Sequence, residues 1–307
     1  MLSTIKAKKF SLVDGLNLIF VFIVFIFFLL SLRRNPYLFQ PLLVLGLSFG
    51  LVAYALHLRK KKSRNKIEDL YLLFYPLFFL FVIFESFFMI LPFFNPHDYD
   101  AQLTQLDFQL LGVHPTVWIE QWVRPWLTDL MYLLYLFYFP LPLFILSYLY
   151  RKKEYKKLDR SVFLLFVVYF GAYLGYFAVP AMGPRFYEPL MSLQHKSLDG
   201  LILAAPIRNL IGIFEPNKFD VFPSLHMAIS LCTLMLMGKY KRKMFWTFLP
   251  IVLGIWVSLV YCRYHYLTDM IAGAVLTFIV FFGAGALYDR WTKLNFVSYY
   301  LKNNKNV

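Results

Sequence analysis

Tyr264-His265-Tyr266-Leu267-Thr268-Asp269-Met270-Ile271-Ala272-Gly273-Ala274-Val275-Leu276-Thr277-Phe278-Ile279-Val280-Phe281-Phe282 places a histidine and an acid at the head of an apolar run that continues to Leu287. A run of that length matches the about 20 residues a helix needs to cross the hydrocarbon core of a bilayer. An unpaired acid there is expensive, so Asp269 must have a partner or a task. His265 and Asp269 are four residues apart, which on a helix puts them on one face. The carboxylate can then accept the imidazole Nδ1 proton and leave Nε2 with a free lone pair. That arrangement turns a histidine into a nucleophile.

Seven other stretches are long and apolar enough to read as spans: Phe10 to Leu32, Tyr37 to Leu58, Leu70 to Leu91, Trp126 to Leu149, Val162 to Val179, Val221 to Gly238 and Met244 to Tyr261. The chain has 307 residues, 60% of them hydrophobic and 21% aromatic, more apolar surface than a soluble core of that size hides. The expected fold is all-α, a polytopic integral membrane helix bundle with about eight transmembrane spans. The first stretch follows basic residues, as a signal peptide would. It is too long for one and runs into Arg33 and Arg34 without a small-residue cleavage site, so it is read as a span.

A formal net charge of +14 would suggest nucleic acid in a soluble chain. Here the basic residues fall mainly between spans, where they report orientation, and no nucleic-acid partner is expected. With both termini on one side, that side collects Lys6, Lys8 and Lys9, the runs Arg59 to Lys66 and Arg151 to Arg160, Lys239 to Lys243, and the tail from Arg290. The positive-inside rule makes the termini cytoplasmic and leaves Arg33 and Arg34 as an outer pair. The chain divides into an N-terminal pair of spans over 1–66 that packs or anchors, a catalytic region over 67–290, and a cytoplasmic tail over 291–307.

Several polar features have both structural and functional readings. Asp14 and Asn17 sit near one end of the first span and His57 at the cytoplasmic end of the second, all read as packing or interfacial residues. Glu85 is an acid inside the third span, either a functional group or a hydrogen-bonded structural one. Between Pro92 and Pro125, Leu103, Leu106, Leu110 and Leu111 recur at helical spacing, which reads as a short amphipathic helix lying in the interface. Gly171 with Gly175, and Gly273, Ala274, Gly283 and Gly285, read as close helix contacts. Cys232 and Cys262 offer neither a ligand cluster nor a disulfide framework.

Val179-Pro180-Ala181-Met182-Gly183-Pro184-Arg185 closes the fifth span, and its prolines and glycine break the helix and fix a cation at the membrane surface. The sixth span opens with Phe222-Pro223-Ser224-Leu225-His226. Proline is favoured in a helix's first turn, so the backbone N–H groups near Ser224 to His226 should face outward as an anion site. Arg185, His226 and His265 thus converge on the outer face from three segments. An arginine, a helix N-terminus, two histidines and an aspartate suit phosphoryl transfer: cations and N–H groups hold oxygens, one histidine attacks and the other protonates the leaving group. No carboxylate cluster for magnesium and no Cys/His spacing for zinc is present, which favours a route without metal or other cofactor.

Pro223-Ser224-Leu225-His226 resembles the second motif, P-S-G-H, of the type 2 phosphatidic acid phosphatase and vanadium haloperoxidase superfamily, and Ser258 to Asp269 resembles its third, S-R-x5-H-x3-D. The resemblance, over roughly Gly112 to Gly273, implies that His265 forms a phosphohistidine, that Asp269 orients it, and that His226 is general acid and then activates water or an acceptor hydroxyl. Arg185 would match the first-motif arginine and, with Ser224, hold phosphate. The chain has Ala178 where the superfamily has a lysine and Leu259 where it has an arginine. Arg263 is the candidate replacement, although on a continuous helix it would point away from His265, so it could help only where the segment is unwound. G-P-R-F, F-P-S-L-H and R-Y-H-Y-x-x-D, with Leu106-Asp107 to Gly112 and Pro115, are similar to the branch that includes inositol phosphorylceramide synthase. That branch implies a membrane lipid phosphoester as donor and a ceramide or diacylglycerol alcohol as acceptor; the wider superfamily implies hydrolysis. A lipid transporter is the reading from another class and requires polar residues at mid-depth in several spans, where Glu85 is the best case. A non-catalytic lipid-binding protein is the other.

Overall fold

The structure is a computed structural model that describes residues 11–61, 63–214 and 219–293. Lys6, Lys8, Lys9, Lys62 and Lys218, and the tail beyond 293, lie outside the described residues. Among the described residues the chain forms helices and no strands. In order these are α1 (Leu12–Ser31), α2 (Phe39–Lys60), α3 (Lys66–Phe94), α4 (Asp100–Leu111), α5 (Pro115–Trp118), α6 (Pro125–Phe137), α7 (Leu141–Arg151), α8 (Tyr155–Ala178), α9 (Glu188–Met191), α10 (Ala204–Phe214), α11 (Leu225–Tyr240), α12 (Arg242–Tyr261) and α13 (Leu267–Phe278). α13 continues through a π-helical turn at Ile279–Ala284.

The chain is a multi-pass membrane protein. Among the described residues six helices are long and apolar enough to cross: α1, α2, the Phe74–Phe94 part of α3, α8, α12, and α13 with its continuation to Lys293. α6 and α7, bent by 45° at their junction, together make a seventh. α11 is apolar but has 16 residues, so it rises only about 24 Å, short of the roughly 30 Å hydrocarbon core. These helices account for the eight apolar stretches of the sequence.

Two units are distinguishable, one holding the residues up to Tyr99 with Tyr173–Ala181, the other Asp100–Ala172 and the residues from Met182 on. In the first, α1 starts at Ser11, whose side chain accepts the Val13 N–H while Asp14 accepts the Ser11 N–H. Asp14 does more than cap: it is fully buried, pairs with Arg59 of α2 at 2.5 Å, and accepts the Tyr75 hydroxyl of α3. The polar end of the first span therefore fastens three helices by a buried ion pair, whose removal of one partner would leave an uncompensated charge. His57 is exposed and stacks on Tyr54, and Glu85 is exposed on α3.

In the second unit, α11 is the central helix, packed by α7, α12 and α13. Its buried face includes Ala228, Ile229, Cys232, Leu236 and Met237. Cys232 and Cys262 are both buried and free. α13 reaches α11 through Gly273, where an added Cβ would lie 2.5 Å from the Ser224 carbonyl oxygen and 3.3 Å from the Met227 Cβ. One turn on, the Thr277 hydroxyl donates to the Ala228 carbonyl at 2.9 Å. Gly273 is thus a packing residue, as its small-residue pattern suggests, whereas Gly283 meets nothing within 4 Å.

Gly273→Ala should push α13 off the start of α11. We expect a loss of about 1–3 kcal/mol, the usual cost of overpacking a close contact, seen as a lowered unfolding midpoint in detergent. Gly283→Ala should leave that midpoint unchanged.

Candidate active site

α12 ends at Tyr261, and the chain turns before α13 starts at Leu267. The turn is closed by N–H donation from Cys262 to Ser258, from Arg263 to Val260, and from both Tyr264 and His265 to Leu259. Arg263 takes a φ of 64°, the left-handed conformation that commonly ends a helix. The segment is therefore unwound, which frees His265 from the helical direction and aims it back over α13. His265 Nδ1 lies 3.1 Å from Asp269 Oδ1. The other Asp269 oxygen accepts the Tyr266 N–H at 2.8 Å. The expected pair is present, made across a turn into a helix instead of along one helix.

On its other side, His265 Nε2 is 3.2 Å from His226 Nδ1. His226 is in the first turn of α11, with its ring against Tyr135 and Tyr138, centroids 4.5 and 4.3 Å away. All three side chains are buried: His226 is 8% exposed, His265 3% and Asp269 0%. Ser224 caps α11, its hydroxyl accepting the Met227 N–H at 3.3 Å. Its own N–H donates to the Asp269 carbonyl oxygen at 3.0 Å. That N–H is consumed in fixing α13 against α11, not turned outward to an anion as the sequence suggests. Pro223 precedes the cap instead of occupying the first turn.

Arg185 is placed by a glycine. Gly183 has φ 89°, and a Cβ there would sit 2.6 Å from the Tyr264 carbonyl oxygen, so only glycine lets this loop approach the His265 turn. Arg185 Nη1 then donates to the Tyr264 hydroxyl at 2.5 Å, and the guanidinium lies over the Tyr264 ring with its carbon 5.0 Å from the centroid.

Carboxylates of the preceding segment gather the N–H groups of these loops. Asp100 accepts the Met182 and Gly183 N–H groups at 2.6 and 2.7 Å and the Tyr266 hydroxyl at 2.6 Å, tying the Arg185 loop to the His265 turn. Asp107 accepts the Leu267 and Thr268 N–H groups, both at 2.8 Å, at the start of α13. Asp129 of α6 accepts four consecutive N–H groups, Leu201 to Ala204, at the start of α10. Glu120 accepts the His195 and Lys196 N–H groups and the Arg263 guanidinium. The helix expected between Pro92 and Pro125 exists as α4; its buried stripe is Asp100, Leu103 and Asp107, and Leu106, Leu110 and Leu111 are exposed. Orphan loop N–H groups need acceptors more than the interior needs leucines, and that need sets the helix's inward face.

A cavity of about 100 Å³ opens on the pair of histidines. Its walls include Arg185, Arg208, Asp220, His226, Tyr264 and His265. Arg263 is not among its walls: the guanidinium is held by Glu120 at 2.5 Å and by the Lys196 carbonyl at 2.5 Å. Unwinding at 263 directs that side chain to Glu120, so the structure does not bring it to the histidines. Leu259, where a superfamily arginine is expected, is buried in an apolar cluster with Tyr132, Ile207, Ile211 and Cys262. The second cation on the cavity is Arg208 of α10, whose distance in sequence from every motif gave it no signal. Burial pushes the carboxyl of Asp220 upward while His265 pulls it down.

The chain belongs to the PAP2 superfamily, whose family model matches residues 101–283. It is 28% identical over 180 residues to a phosphoinositol dihydroceramide synthase of Bacteroides thetaiotaomicron, covering 54% of this chain and 59% of the relative. It is 30% identical over 128 residues to the catalytic subunit of inositol phosphorylceramide synthase of Saccharomyces cerevisiae, covering 37% of this chain and 30% of that one. A PA-phosphatase related-family protein of Dictyostelium discoideum is 30% identical over 101 residues, 32% of this chain and 18% of the relative. The chain thus spans less than two thirds of the length of each of these relatives. No solved structure matches it significantly.

Asp100→Ala should strand three buried donors, at about 1–3 kcal/mol for each left unsatisfied. We expect a lower unfolding midpoint and, by hydrogen exchange, faster exchange of the Met182 and Gly183 amides. Unchanged protection there would show that Asp100 does not hold the Arg185 loop.

Proposed function

We propose that this protein cleaves a membrane lipid phosphoester through a covalent phosphohistidine on His265 and passes the phosphorus-bearing group to a hydroxyl. The reading is carried by one observation: Nε2 of His265, opposite the nitrogen that meets Asp269, faces Nδ1 of His226 at 3.2 Å on the wall of a cavity that also presents two arginines. Nε2 attacks phosphorus, the bond from phosphorus to the leaving alcohol oxygen breaks, and His226 delivers a proton to that oxygen. In the second half His226 takes the proton of the incoming hydroxyl, whose oxygen attacks phosphorus as the phosphorus–nitrogen bond breaks. Arg185 and Arg208 balance the charge on the non-bridging oxygens. Asp269 fixes the His265 tautomer and stabilises the imidazolium form.

The two synthases among the relatives favour a lipid alcohol of the ceramide or diacylglycerol type as the acceptor, so that a phospho-headgroup moves intact. The phosphatase-related relative keeps water as the second reading. The loop charges support cytoplasmic termini and a site at the outer leaflet, and the exposed Trp118, Trp122 and Trp126 suit an interface there.

His265→Ala should abolish turnover, and His226→Ala should slow it by about 10²–10⁴-fold, the usual contribution of a general acid. A phospholipid labelled in phosphate and headgroup, assayed with and without ceramide, separates the two acceptors: label moving intact to ceramide marks a transferase, free phosphate from a phosphomonoester lipid marks a phosphatase. Full activity of the His265→Ala protein would refute the mechanism. Turnover should persist in chelator. It should also be bell-shaped in pH, because one histidine must be neutral while the other carries a proton; a monotonic profile with chemistry rate-limiting would contradict that division of roles.

A further inference from the structure

Gly200-Leu201-Ile202-Leu203-Ala204-Ala205-Pro206-Ile207 runs between Asp199 and Arg208 without a polar side chain. It bends into α10, and three large residues stand out from the protein on that bend: Leu201 is 68% exposed, Ile202 78% and Leu203 42%. Single exposed leucines are ordinary, but three in succession are a liability in water. The backbone of the bend does not depend on water either. One Asp129 oxygen accepts the Leu201 and Ile202 N–H groups at 3.1 and 2.9 Å, and the other accepts those of Leu203 and Ala204 at 3.0 and 2.7 Å. Pro206 has no N–H to satisfy, and Ile207 donates to the Leu203 carbonyl at 3.0 Å. A Cβ at Gly200 would run into the Asp129 carboxylate, so glycine ahead of the bend is what lets the acid enter it. A loop in water needs no such provision, since water takes its donors; a loop against hydrocarbon cannot do without it.

We infer that Leu201, Ile202 and Leu203 insert into the hydrocarbon of the leaflet that faces the histidine cavity and anchor α10 there. The helix to which the bend is fastened supports lipid as the occupant. Asp129 lies in the second turn of α6, the first half of the bent span, and α10 packs on α6. α6 also turns Trp126, Leu130 and Leu133 outward, 60, 41 and 46% exposed, so the bend hangs on a helix that itself faces lipid. No charge within the bend opposes insertion, since Asp199 and Arg208 flank it. Arg208, one turn past Ala204, lines the cavity. Resting on the function proposed above, the anchor holds the Arg208 wall of the cavity against the leaflet, so that a lipid phosphoester reaches it without leaving the membrane.

The test reads location first. Ile202→Cys, and Ser197→Cys as a reference in the exposed stretch ahead of the bend, are labelled with bimane in the full-length protein in nanodiscs. Cys232 and Cys262 are buried, and the unaltered protein gives the background. At 202 the emission should be blue-shifted, quenched by lipids carrying a nitroxide high on the acyl chain, and protected from iodide; at 197 iodide should quench and the lipids should not. Iodide quenching at 202 equal to that at 197 would overturn the inference, as would equal lipid quenching at both positions, which would leave no inserted bend. The consequence is read as kcat/KM for long-chain phosphatidylinositol and ceramide in the nanodisc, against their short-chain forms dispersed in water. Ile202→Asp, which puts a charge where hydrocarbon excludes one, should lower the first by about tenfold or more and spare the second, while Ile202→Met should change neither. An equal fall for both would assign the bend a structural role and overturn the anchoring of the cavity. If Ile202→Asp does not yield a monodisperse protein, the quenching pair decides. Turnover of neither form by the unaltered protein would defeat the proposed function and leave the quenching result standing.

Discussion

Buried carboxylates that collect backbone N–H groups hold this site together. Wherever a membrane-spanning chain leaves a helix it strands backbone donors that lipid cannot satisfy. Asp100, Asp107, Asp129 and Glu120 take up those donors in the second unit. Each bond is charge-assisted and so stronger than a neutral one. Arg185, His265 and Arg208 are positioned in this way, by Asp100, by Asp107 with Asp100, and by Asp129 in turn.

The histidine pair depends on a second constraint, the approach of α13 to α11. Gly273 brings the helices together, and the Ser224 N–H bonded to the Asp269 carbonyl locks their ends. This sets His226 and His265 at contact distance although 39 residues separate them. Asp269 serves twice, with one oxygen toward His265 and the other on the Tyr266 N–H.

The spans and the histidine–aspartate pair were legible because hydropathy and four-residue spacing act over short distances. Arg185 was legible because proline and glycine announce the break ahead of it. The carboxylate clamps were not, since their partners are backbone N–H groups, which no residue identity betrays; Leu103, Leu106, Leu110 and Leu111 pointed to the helix but not to the acids on its protein-facing side. Arg263 and Arg208 exchange the places that proximity to the motif suggests. A residue two positions from His265 is turned toward Glu120 by a left-handed backbone, while one from a distant helix reaches the cavity. Side-chain direction after a helix break is a property of the turn, not of the spacing.

The most direct measurement is rapid quenching of the protein during turnover of a phosphate-labelled donor lipid, followed by digestion and mass spectrometry under alkaline conditions that preserve phosphoramidates. The account predicts an acid-labile adduct on Nε2 of His265, absent in His265→Ala and accumulating when the second half-reaction is slowed by withholding acceptor. Label on another residue, or single-turnover product formation with no adduct at any time, would contradict it.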